Sequence, residues 1–281
     1  ICKQTLAANL SLDHCRHHYC IEFLFTRRNI FWIMKKRYSS LLLIVTQVLY
    51  AQETIQTDRP DQTESTSITP KRNLQLESGF FYEKTDTESR NISHPTLLIK
   101  YGVNKNLELR AGTDFNSETV YQERNSGISP ITLGFKAKLM EERKLMPSLA
   151  FLGQVTLNSL ASKNFKTPYT APSIRLLFQH TLSDKLNLGY NLGAEWNGVT
   201  PDVTGVYTVS TSYSFDEKLG MFAEFYGYLN KFEKADHRFD AGVTYLISNN
   251  FQVDTSAGIG ISKISPDYFV SAGVSYRFST K

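Results

Sequence analysis

The residues best placed to do chemistry in this chain are charged, and their types favour ion pairing over catalysis. Thr57-Asp58-Arg59-Pro60-Asp61 sets two carboxylates around a guanidinium. Either residues 52–72 enter a cavity as a plug and pair these charges with inward-facing ones, or they form a tail that helps targeting or packs at the cavity mouth. A Ser-His-acid hydrolase is a third possibility. Only His94, His180 and His237 follow residue 51, and none has a Ser and a carboxylate at matching nearby positions. The chain has no HExxH motif and no Gly-rich phosphate loop. The reading therefore assigns no catalytic residue, no metal ligand and no cofactor.

The cysteines are Cys2, Cys15 and Cys20, so nothing after residue 51 calls for a disulfide or a thiolate. His14-Cys15-Arg16-His17-His18-Tyr19-Cys20 has metal-ligand types. However, a zinc site ahead of an internal signal peptide has no obvious compartment, and residues 1–33 read as upstream sequence from a start placed too early. Residues 34–51 have the layout of a signal peptide: Met34-Lys35-Lys36-Arg37, an apolar stretch from Leu41 to Tyr50, then Ala51. The net positive charge of +4 belongs to residues 1–51, and the remainder holds 24 basic and 25 acidic residues. That balance leaves no basic patch for nucleic acid.

From residue 73 the chain alternates with period two, the signature of β-strands. Leu107, Leu109, Ala111, Thr113 and Phe115 oppose Glu108, Arg110, Gly112 and Asp114. Leu186, Leu188, Tyr190, Leu192, Ala194 and Trp196 oppose Asn187, Gly189, Asn191, Gly193 and Glu195. About twelve such runs occur, each near the ~9–11 residues that a tilted membrane strand needs. Short turns at 104–106, 183–184, 216–217 and 248–250 largely alternate with longer polar links at 84–95, 116–128, 159–170 and 230–237, as in outer-membrane barrels. The second face is rich in Gly, Ser, Thr and Asn, which suits a packed, wet lumen better than the open surface of a soluble β protein. Its charged members are Glu77, Lys100, Glu108, Arg110, Asp114, Lys136, Lys138, Arg175, Glu195, Glu224, Asp240, Asp254 and Arg277. They could set ion selectivity or pair across a filled interior.

Thr57-Asp58-Arg59-Pro60-Asp61-Gln62-Thr63-Glu64-Ser65, followed by Leu74-Gln75-Leu76-Glu77-Ser78-Gly79, resembles the start of the outer-membrane barrel family labelled for the MetA pathway of phenol degradation. The resemblance implies a transporter for small solutes, organic or aromatic ones among them. The expectation is thus an all-β protein: a transmembrane antiparallel β-barrel over 73–281, of about twelve strands, in the Gram-negative outer membrane. Its partners would be outer-membrane lipid, the barrel-assembly machinery (which would read the last strand, ending Tyr276-Arg277-Phe278) and a small-molecule solute. The alternative is a non-conducting barrel with a structural, adhesive or binding role through its outer loops.

Overall fold

The computed structural model describes residues 53–280, so the readings of 1–33 and 34–51 lie outside the described residues. The strands are β1 (Asn73–Lys84), β2 (Ser89–Asn104), β3 (Leu107–Val120), β4 (Glu123–Ile128), β5 (Ile131–Met140), β6 (Ser148–Leu157) and β7 (Ala171–Thr181). They continue as β8 (Leu186–Trp196), β9 (Val203–Ser214), β10 (Leu219–Asn230), β11 (Asp236–Ser248), β12 (Phe251–Gly260) and β13 (Tyr268–Ser279). All pairings are antiparallel. The pairing of β2 with β3, and of β1 with β13, closes every strand except β4 into a twelve-stranded barrel. Closure leaves the twelve barrel strands without an unpaired edge, which a sheet in lipid requires.

The period-two pattern sorts the side chains as expected. Leu109, Leu133, Val209, Val243, Val270 and Val274 are exposed on the outside, where lipid would cover them. Aromatic rings gather near both rims, Tyr213 against Phe215 and Tyr276 against Phe278 at the short-turn rim and Tyr82 against Tyr268 at the other. The first and last barrel strands end on one rim, Asn73 opposite Ser279, together with the short links between β2 and β3 and between β11 and β12.

Two expectations about links are corrected. The segment 84–95 is mostly strand, because β2 begins at Ser89 and absorbs His94 in a register shift between Ser93 and Thr96. The segment 116–128 is a hairpin, with β4 paired to β3 and both Tyr121 and Gln122 at positive φ (47° and 75°). Two central residues at positive φ make a tight hairpin turn. Here they are not the Asn-Gly type that would mark it in sequence. His94 and His237 accordingly lie in strands and not in loops; His94 Nε2 is 2.8 Å from Ser117 Oγ, and His237 Nδ1 is 2.6 Å from Tyr207 OH. The interior also holds apolar groups that the polar face did not announce: Leu152, Leu177, Phe222, Tyr226 and Phe269 are all buried.

Candidate functional site

Residues 54–72 run inside the barrel and bond to its wall on every side. Asp58 is the hub. Its Oδ2 accepts from Lys100 Nζ at 2.8 Å and from Arg110 at 3.2 Å, and its Oδ1 accepts from Lys136 Nζ at 2.8 Å. Burial alone would raise the Asp58 carboxyl, but Lys100, Lys136 and Arg110 hold it well below the usual carboxylate range. Arg110 also clasps Glu64 through two nitrogens at 2.7 and 3.1 Å, the fork geometry that suits a carboxylate. Glu77 pairs with Lys100 and accepts the backbone N–H groups of Asp58 and Arg59. Glu108 accepts both the N–H and the hydroxyl of Thr69, at 2.7 and 2.6 Å.

Arg59 points the other way. Its guanidinium donates to Asp254 at 3.0 Å and to Ser271 at 2.9 Å, and lies over the paired glycines Gly79 and Gly273. A Cβ on Gly273 would fall 2.4 Å from Arg59 Nε, so the missing side chain is what makes room for it. Gly102 does the same for the carbonyls of Thr69 and Pro70, each 2.2 Å from a built Cβ. Gly79, Gly102 and Gly273 are therefore cut-outs for this segment. Thr57 accepts from Gln252 at 2.8 Å, and Asp61 accepts from Ser210 at 3.2 Å. Gln62 and Thr63 donate to Glu224, the Thr63 hydroxyl lies 2.7 Å from that of Thr208 and accepts from it, and Glu64 exchanges bonds with Asn191.

Of the inward-facing residues named from sequence, Glu77, Lys100, Glu108, Arg110, Lys136, Glu224 and Asp254 bond directly to this segment. Asp240 is fully buried beside Glu224, its cross-strand partner. The others lie apart: Asp114 lines a cavity, Lys138 pairs with Glu141, Arg175 with Glu195, and Arg277 donates to Asn250. Sequence reasoning missed the neutral groups Gln75, Gln179, Asn191, Thr208 and Gln252, which accept from or donate to residues 56–66. Their lumen-facing register was the only signal for them.

Two cavities flank the segment. One of about 310 Å³ reaches the short-turn rim at Asp216, Glu217 and Lys218. The other, of about 330 Å³, lies among Phe81, Asn91, Asp114, Asn116 and Phe269. Arg59, Pro60 and Asp61 line both cavities, and so stand between them.

A closed antiparallel barrel with an apolar exterior and a charged, filled interior is an outer-membrane-type β-barrel. More particularly, the chain belongs to the family described as "Putative MetA-pathway of phenol degradation", which it matches over residues 57–278. Among solved structures it is similar to an outer membrane channel from Pseudomonas putida F1, at 11% identity and a TM-score of 0.62, covering 78% of this chain and 100% of that one. The NanC porin and the KdgM porin each align at 10% identity with a TM-score of 0.50, over 72% and 73% of this chain and 98% and 99% of theirs. No curated protein matches the chain by sequence.

Proposed function

We propose that this protein is a channel of the Gram-negative outer membrane that passes small solutes without chemistry, and that residues 54–72 are its plug. The observation that carries this reading is the shared wall: Arg59, Pro60 and Asp61 separate a cavity open to the short-turn rim from one on the far side. Moving that short stretch would join the two. The fold it shares with a channel and two porins supports the same reading. Residues 34–51 would direct export, and the last strand would be read by the barrel-assembly machinery. The dense bonding of the segment to the wall favours a second reading, a barrel that never conducts and acts through its outer loops.

A tether separates the two. Thr63 and Thr208 hold their hydroxyl oxygens 2.7 Å apart, and the cysteines of the chain, at 2, 15 and 20, precede the plug. In a Thr63→Cys/Thr208→Cys barrel reconstituted in liposomes, oxidation abolishes solute entry and a thiol reductant restores it. Equal entry in both states would rule out the plug, and no entry in either state would favour the non-conducting barrel.

A further inference from the structure

The walls that hold the plug carry opposite charge. Lys100, Arg110 and Lys136 stand on three successive strands of the ring, β2, β3 and β5; Glu224, Asp240 and Asp254 stand on β10, β11 and β12. Four strands separate the two groups on one side (β6 to β9) and two on the other (β13 and β1), so the groups face each other across the lumen. The plug shows that they share a level. Its neighbouring residues Asp58 and Arg59 reach the basic wall and Asp254 respectively, and its neighbours Glu64 and Thr63 reach Arg110 and Glu224. In effect the plug presents Asp58 and Glu64 to the basic wall, and to the acidic one Arg59 together with Asp61, whose carboxyl lies near Glu224 and Asp240 and leaves with the plug.

The acidic wall is not saturated by the plug. Among the described residues Glu224 and Asp240 have no cation within salt-bridge distance: on these strands Asp254 pairs with Arg59, while Arg238 is taken up by Asp236 and Glu83. Both carboxylate oxygens of Asp240, and Oδ2 of Asp254, are buried without a hydrogen-bond donor. Unmet buried acceptors of this kind are costly, and a donor carrying positive charge is what would satisfy them. On the opposite wall Glu77 and Glu108 offset part of the positive charge, so three cations face two carboxylates once Asp58 and Glu64 have left.

Facing walls of opposite sign set up a field across the pore. A simple ion gains at one wall and is repelled at the other, whereas a neutral solute gains at neither. A molecule with both charges gains at both. We propose that these two walls form a binding site for small zwitterions, in which a solute carboxylate takes the place of Asp58 and Glu64 while its ammonium or guanidinium takes the place of Arg59. This rests on the reading of residues 54–72 as a plug, which such a solute would displace by competing for the same partners.

The test is solute entry into liposomes carrying the protein purified from the outer membrane, with ε-aminocaproate as the zwitterion and xylitol as a neutral control. The zwitterion enters about tenfold faster, which corresponds to about 1.4 kcal/mol of preference. Replacing the acidic wall (Glu224→Gln, Asp240→Asn and Asp254→Asn together) brings the ratio to about one. If that variant does not fold, Asp240→Asn alone lowers the ratio in the same direction, and an unchanged ratio overturns the proposal. An Asp58→Ala barrel separates the two levels of the argument. Equal entry of both solutes there overturns the zwitterion site and leaves the plug standing, whereas entry of neither into a barrel shown to be folded by heat-shifted mobility overturns the plug itself.

Discussion

Asp58→Ala opens the barrel. Lys100, Lys136 and Arg110 are all buried and converge on this one carboxylate, and none can follow it into water because each is fixed to a strand. Deleting the anion leaves three cations with only Glu64, Glu77 and Glu108 to share, while the alanine contributes nothing to hold the segment in place. Removing one partner from a buried ionic cluster costs about 3–5 kcal/mol. That penalty falls on the docked state alone, because in the undocked state the wall cations are already without Asp58 and can be hydrated. The closed-to-open ratio should fall by on the order of a hundred- to a thousandfold, at about 1.4 kcal/mol per factor of ten. Open probability in planar bilayers reads this directly. Asp58→Asn keeps the volume and one acceptor, so it opens the barrel less. If Asp58→Ala gates like the parent, the cluster does not hold the plug.

Gly273→Val acts on the opposite side by shape alone. A Cβ there would lie 2.4–2.6 Å from Nε, Nη2 and Cζ of Arg59, so the guanidinium must leave Asp254 and Ser271. Hydrogen bonds to a charged group contribute about 1.5–3 kcal/mol each, and losing two should raise open probability by on the order of a hundredfold or more. Among the described residues Gly198 is the glycine at positive φ, so Gly273 has ordinary strand geometry, which valine favours. The barrel should therefore keep its heat-shifted mobility while the plug loosens. In an Arg59→Ala background the valine has nothing to displace, and its effect on gating should vanish; an effect that persists there would mean it acts on the barrel wall instead.

The barrel was legible because each strand repeats the same instruction. Leu107 to Phe115 against Glu108 to Asp114 assigns two faces with no knowledge of neighbours, and twelve such runs leave few other ways to fold. The site was legible only by halves. Asp58 and Arg59 stand out in sequence, and so do Lys100, Lys136 and Asp254, but Arg59 and Asp254 are 195 residues apart and meet only once the ring has closed. Which wall residue each plug charge reaches depends on the register of every intervening strand. Phe222 and Phe269 escaped notice because they occupy inward positions between polar residues, where only packing against Gly242 and Gly258 reveals why a ring fits. The hairpin at Tyr121-Gln122 was hidden for a different reason: its turn uses residues that carry no turn signature.

As the proposed plug, residues 54–72 would close a barrel that otherwise conducts. Single-channel current decides it most directly, comparing the parent protein with a variant lacking residues 54–70 in the same bilayer, both shown to be folded by heat-shifted mobility. A plug predicts rare, brief openings for the parent and long, discrete open steps of larger conductance for the deletion. A folded deletion variant that stays as silent as the parent would contradict it, since the lumen would then be closed by something other than this segment.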